Sequence, residues 1–441
     1  MDRLTVEDFR CFGEEQTARL APLTLLVGEN STGKTSFMAM ASILWEVVYG
    51  GNYLPDFKKD PFDLGTFQNI VHEDGGDPKK VFSGGFGIKD WTCRATFQRG
   101  TSGPEAVTLG IENPNGSVTW SRSSSGGITV QAKIGNSTWR TSHEGSPSRG
   151  SGIRDRIYPG RRWGIFSIHD ELDNMRSDSD ASKIMENDKA AIDAIVAFPY
   201  KSIKAGSLTP GVMSPVRSRP ERIYEQGYSD PGNERIPQYL ATLHSDPDLR
   251  KRWKKMKQDL DAHGRNTGLF EEIDIRPLGK KPDSDPTQDP FQLEFRIRDG
   301  NGETSWRNIV DVGYGVSQIL PVLVELIKGD HPLLLLQQPE VHLHPSAQAG
   351  LGSILCAVAG QGRRILVETH SDYLIDRVRM DVRDQKNTKL KPEDVSILYF
   401  EGEGPSVKIH DIKIDQEGNV LDAPSGYRQF FKDEMDRDLG F

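Results

Sequence analysis

Residues 28–36 read GENSTGKTS, and this one stretch decides how the rest of the chain is understood. It satisfies G-x-x-x-x-G-K-[ST] through Gly28, Gly33, Lys34 and Thr35. An apolar run (23–27) precedes it and a helix-periodic segment (37–48) follows, the strand–loop–helix context that a phosphate-binding loop needs. Glycines let the backbone curl so that several N–H groups face one anion, and the helix N-terminus adds a favourable dipole. Lys34 supplies a charge and Thr35 a hydroxyl for Mg2+, while Asn30, Ser31, Thr32, Gly33 and Ser36 complete the wrap around the phosphates of a nucleotide. A glycine-rich turn without a ligand is the competing reading, and the flanking strand and helix weigh against it.

The 441 residues leave room for several domains or for one elaborated ATPase domain with insertions. With 55 Lys and Arg against 64 Asp and Glu, the net charge of -9 advertises no global affinity for nucleic acid, so any such contact would be local. Cys11, Cys93 and Cys356 are widely spaced, which points to neither a disulfide framework nor a zinc cluster and fits a reducing compartment. The N-terminus does not read as a signal sequence, and no apolar stretch approaches the length of a membrane span. A cytoplasmic protein without membrane contact is expected.

Working outward from the loop, residues 4–12 and 16–27 alternate as two strands around Gly13, a hairpin that delivers the chain into the loop. The helix after the loop stops at Gly50 and Gly51. Gln68, in DLGTFQNI (63–70), reads from its neighbours alone as a loop position. From 81 to about 150 the short alternating runs 93–97, 106–111, 118–120 and 128–134 predict an antiparallel meander with a polar tail at 142–152. Arg154, Arg156, Arg161 and Arg162 follow, as a solvated face or a phosphate-facing one.

Residues 180–290 read as an insertion of helices and proline-rich turns, ending in a linker-like 280–289. Its clearest helix, 247–263, has Asp246 to cap it, Pro247 in its first turn and Gly264 at its exit. Leu249, Trp253, Met256 and Leu260 form one stripe, and Arg250, Lys251, Arg252, Lys254, Lys255 and Lys257 crowd the remainder. That basic face at 250–257 is either a solubilising surface or a contact for DNA or an acidic partner.

The last third returns to regular structure: a strand at 291–298, a helix at 319–327 ending at Gly329, a buried strand at 333–336, a crossover helix at 346–358 and a second buried strand at 364–369. Apolar strands alternating with crossover helices predict a mostly parallel sheet, whose ligands sit at the carboxyl ends of the strands. That rule places 28–35, 337–340 and His370 along one edge. His342 and His344 form H-x-H, but no further ligand lies at supporting spacing, so no metal pair is expected there.

These segments, together with 313–318, resemble the ABC-type ATPase heads of the RecF, SMC and OLD group, and most closely the short AAA-family ATPases of bacterial anti-phage defence operons such as PARIS, Septu and Gabija. The resemblance implies an α/β fold: an ABC-ATPase-like P-loop NTPase head with an antiparallel β subdomain and a helical insertion. The implied division is an N-terminal ATPase lobe at 1–160, the insertion at 161–290 and a C-terminal ATPase lobe at 291–441. Site roles follow from the same resemblance. Gln68 corresponds to the glutamine that senses Mg2+ and the attacking water, and His370 to the switch histidine near the γ-phosphate. Gly313, Gly315 and Ser317 correspond to the signature loop that completes the ATP site of the opposite subunit, and His344, Pro345 and Ser346 to the segment that crosses the dimer interface.

In that family the Walker B strand usually ends in two acids, the first helping to hold Mg2+ and the second polarising water. Here both positions are glutamines, Gln337 and Gln338. An amide can position a water, but it supplies no negative charge and accepts no proton as a base. Glu340 and Glu368 are the carboxylates in reach by sequence, and sequence places neither. The expected protein binds ATP with Mg2+, closes as a homodimer or higher homo-oligomer, hydrolyses slowly and holds an effector protein such as a nuclease in anti-phage defence. The alternative is a RecF/SMC-like ATPase of DNA repair or recombination. A pseudo-ATPase that has lost its ligand is disfavoured by the intact Lys34 and Thr35.

Overall fold

Leu23–Gly28, Leu333–Gln337 and Arg364–Glu368 are nearly uninterrupted apolar runs, the composition of strands covered on both faces. In the computed structural model, which describes residues 1–48, 55–74, 77–101, 103–123, 127–135, 137–143, 209–225, 236–279, 289–385 and 388–427, these strands form the middle of a seven-stranded sheet. Its order is Gly211–Met213, Leu333–Gln337, Arg364–Glu368, Leu23–Gly28, Val395–Glu403, Ser406–Ile414, Val420–Leu421. The first five run parallel, and the last two are added by antiparallel pairing.

Alternation along each strand feeds two cores. Leu333 and Leu335 belong to one cluster, Leu334 and Leu336 to the other. The first core holds the helix Lys34–Val48, most of whose residues are buried, between the parallel sheet and an eight-stranded antiparallel sheet. That second sheet is the expected meander, Val81–Ile88 through Ser137–His143, extended at its other edge by Arg3–Glu7 and Gln16–Arg19. The second core packs Tyr314–Lys328, Pro345–Ala359 and Asp372–Asp384 on the opposite face, with Ile236–Ser245 and Arg250–Thr267 outside them. Cys11, Cys93 and Cys356 are free thiols. Among the described residues no helix is long and apolar enough to cross a membrane.

Several elements differ from expectation, each for a local reason. The single strand expected over 16–27 is two, Gln16–Arg19 in the antiparallel sheet and Leu23–Gly28 in the parallel one. Pro22 stands between them; it has no N–H for a ladder, and its carbonyl instead accepts from the Ile365 N–H at 2.8 Å. The first strand ends at Glu7 rather than at 12, because Asp8 and Arg10 turn through left-handed backbone at φ 52° and 51°. The basic helix leaves at Gly268, which adopts φ 69°, while Gly264 lies a turn inside and packs against the Phe270 ring. The helix expected from 319 starts at Tyr314, so the signature-like segment is its first turn.

The insertion is bonded into the head. Gly211–Met213 is a strand of the central sheet, and Glu272–Pro277 pairs with Phe291–Arg298, so a boundary at 290 divides two strands that one ladder joins. Gly50, Gly51, Arg154, Arg156, Arg161, Arg162, the tail at 144–152 and the stretch 280–288 lie outside the described residues.

Candidate functional site

The strand Leu23–Gly28 emerges beside Val395–Glu403, with Gly28 paired to Phe400. The loop then turns back over Cys11 and Phe12. Gly33 has φ 86°, and a Cβ there would sit 2.3 Å from the Cys11 sulfur, so the position excludes every side chain. Lys34 opens the helix and is only 3 % exposed. Its ammonium donates to the Gly28 carbonyl at 3.0 Å and to the Glu29 carbonyl. Burial lowers its pKa, an effect opposed by the charges of Glu368 and Glu29. The first turn of this helix carries no acidic side chain. Because the leading N–H groups of a helix lack intrahelical acceptors, the positive end of the dipole is left for an anion.

Register brings the other strand ends alongside. Gln337 pairs with Glu368, and Glu368 with Leu26. Both Glu368 oxygens accept from the Thr35 hydroxyl, at 2.8 and 3.1 Å. Burial pushes this carboxyl above the ordinary glutamate range, and the Thr35 hydrogen bond and Lys34 charge pull it back. Gln337 is buried beside it. Gln338 takes φ 42°, a left-handed conformation unusual for glutamine, and its N–H donates to the Glu368 carbonyl at 2.8 Å.

Glu340 is buried on the far side of that turn. Its Oε1 accepts from the Thr369 hydroxyl at 2.7 Å and the His370 N–H at 2.9 Å, while Oε2 is buried without a hydrogen-bond partner. This carboxylate therefore fastens the segment that follows Arg364–Glu368. His370 itself is exposed, and desolvation followed by the Lys34 charge lowers its pKa, favouring the neutral imidazole.

Gly313 caps the helix Tyr314–Lys328. A Cβ on Gly315 would lie 3.0 Å from the His342 carbonyl, and the Tyr314 and His342 rings meet edge to face at 4.9 Å. Ser317 donates back to the Tyr314 carbonyl at 2.8 Å. The signature-like turn is thus packed on the turn that follows Gln338. His342 also takes a left-handed φ, 68°, and two such non-glycine residues cost about 1–3 kcal/mol each. His342 and His344 do not share a strand face: the first meets the Tyr314 ring edge to face, and the second caps Pro345–Ala359 through its bond with Ser346. No group of three metal-ligating side chains occurs among the described residues.

Sequence reasoning missed Arg217. Its guanidinium donates to the carbonyls of Gln318 at 3.0 Å and Gln338 at 3.5 Å, joining the helix Tyr314–Lys328 to the turn after Leu333–Gln337. Burial pushes its pKa down to about 10, against the opposing charge of Glu340. The only signal was an arginine between two prolines in SPVRSRP (214–220). Gln68 lies on a one-turn helix, Phe67–Ile70, whose last carbonyl accepts from the Arg10 N–H at 2.6 Å. It is exposed, next to the segment that underlies Gly33.

Together, the buried ammonium, the open helix terminus and the hydroxyl–carboxylate pair fit a nucleoside triphosphate with Mg2+. Lys34 and the loop would hold the phosphates and Thr35 the cation, which when bound would neutralise phosphate charge.

Residues 161–376 match the family described as "AAA domain, putative AbiEii toxin, Type IV TA system". No curated protein matches the sequence. Similar solved structures include an SMC head bound to the C-winged helix domain of ScpA, 11% identical, covering 94% of this chain and 98% of that one with a TM-score of 0.45. Two others are the SMC head domain from Thermotoga maritima (10% identity, 94% and 99% coverage, TM-score 0.39) and an Smc head with an extended coiled coil from Pyrococcus furiosus, bound to the C-terminal domain of ScpA (10% identity, 99% and 99% coverage, TM-score 0.39).

Proposed function

We propose that this chain is an ABC-type AAA ATPase head that binds ATP with Mg2+, pairs around it with a second copy of itself, and acts as a slowly hydrolysing switch. The observation that carries this reading is Lys34, a buried cation whose hydrogen-bond partners in the loop, the Gly28 and Glu29 carbonyls and the Thr32 hydroxyl, are all uncharged. A triphosphate would give it a full countercharge. Contacts from both subunits to one nucleotide would favour the closed pair, and their loss would release it. Gln337 and Gln338 motivate slow turnover, since neither amide can act as a base. The proposed cargo is an effector protein such as a nuclease, held in one nucleotide state and released in the other, in the cytoplasmic setting of anti-phage defence.

Size-exclusion with light scattering, with and without Mg-ATP, tests the switch directly. The expected result is a doubling of mass in ATP with little phosphate release. Lys34→Ala should weaken ATP binding roughly 10- to 100-fold, the scale of one charge-assisted contact, and abolish the mass change. Pairing that persists in Lys34→Ala would overturn the proposal.

One observation bears on the DNA-repair reading. Lys255 and Lys257 pair with Asp259 and Asp261 on their own helix at 2.8 and 3.1 Å, leaving Lys251 and Lys254 exposed on the outer layer. The switch predicts that Lys251→Glu with Lys254→Glu leaves ATP-driven pairing intact. Duplex affinity that drops steeply from about 50 to about 200 mM salt, and vanishes in this double variant, would favour the DNA ATPase instead.

A further inference from the structure

We infer that Glu368 supplies the carboxylate that holds Mg2+ beside Thr35, the task that the glutamine at position 337 cannot perform. The inference rests on the nucleotide-binding reading above and deepens it. Strand order is the first support: Arg364–Glu368 lies directly against Leu23–Gly28, whereas Leu333–Gln337 is one strand further away. A carboxylate at the end of the nearer strand therefore reaches the start of the phosphate-loop helix, and it does so at 2.8 Å from the Thr35 hydroxyl.

That hydrogen bond also has the right polarity. The Thr35 proton is committed to Glu368, which leaves lone pairs of the hydroxyl oxygen for a cation. Hard divalent cations are bound by oxygen ligands, carboxylates prominent among them. Gln337 stands opposite Glu368 in the ladder but brings no charge. Glu340 is committed elsewhere, its Oε1 accepting from Thr369 and the His370 backbone. Of the three buried acid or amide side chains at this sheet edge, only Glu368 combines a negative charge with contact to the Mg2+-binding hydroxyl.

A purely structural role, in which Glu368 only braces Thr35 and Lys34, makes a different prediction. The experiment is a titration of the full-length chain with ATP, once in EDTA and once in Mg2+. For Glu368→Gln the expected result is near-normal affinity in EDTA and loss of roughly tenfold or more in Mg2+, the scale of one charged ligand. Glu368→Asp, which keeps a carboxylate, should retain a Mg2+ effect and carries the test if the glutamine variant does not fold. The assignment is overturned if Glu368→Gln keeps the wild-type response to Mg2+, if it loses affinity equally in both buffers, or if Glu368→Asp is indifferent to Mg2+. Wild-type protein that binds no ATP in either buffer would instead remove the nucleotide reading beneath it.

Discussion

Arg217→Ala is expected to lower the unfolding free energy by on the order of 3 kcal/mol, from the loss of charge-assisted hydrogen bonds to two backbone carbonyls. The side chain reaches from a short segment after Gly211–Met213 to the carbonyls of Gln318 and Gln338. Without it, both carbonyls lose a charged donor, Gln338 keeping its bond from the Val341 N–H, and the buried Glu340 carboxylate loses its nearby positive charge. Urea denaturation measures the effect as a shift in midpoint at unchanged slope. Arg217→Lys should recover only part, because an ammonium lacks the planar fork that spans two acceptors. The same variant should weaken the proposed ATP-driven pairing, since Gln318 lies on Tyr314–Lys328 and Gln338 just after Leu333–Gln337, the elements to which the proposal gives the signature and Walker B roles. A change under about 0.5 kcal/mol, the range of an ordinary surface substitution, would remove Arg217 from the design of the site.

Phe400→Ala should cost about 3–5 kcal/mol, as expected for emptying a fully buried aromatic site. Phe400 is 0% exposed, and its ring packs edge-on against Phe12 at 6.3 Å and Phe37 at 5.5 Å. Such pairs add about 0.5–1.5 kcal/mol beyond simple burial. Phe12 belongs to the segment beneath Gly33, Phe37 to the first turns of the helix after the loop, and Phe400 itself pairs with Gly28. Phe400 therefore links the strand before the phosphate loop, the segment beneath it and the helix after it. ATP titration below the unfolding transition should show weaker binding in Phe400→Ala, with Phe400→Leu less affected. Full affinity in a destabilised Phe400→Ala would mean that the loop holds its shape without this support.

Motif and periodicity went far because the central features are local. GENSTGKTS carries its own backbone logic, and runs such as LLLLQ and RILVE can only be interior strands. The α/β head with its antiparallel meander follows from them. The misreadings occurred where a distant partner overrules a local signal. Gly264 looks like a helix exit, yet the Phe270 ring needs the space that a side chain would fill. The stretch 214–220 reads only as a proline-rich turn, yet Arg217 within it is drawn in by two carbonyls more than a hundred residues away.

Sequence by itself determined that a phosphate loop stands between a buried strand and a helix, and that amides occupy the positions where acids were expected. Tertiary structure alone decided which carboxylate stands next to Thr35. Strand order is set by the packing of whole strands, so Glu368, 333 residues from Thr35 in the chain, ends within hydrogen-bond distance of its hydroxyl. Local patterning cannot encode that proximity, because it arises only when Arg364–Glu368 docks beside Leu23–Gly28 to bury the apolar faces that both strands share.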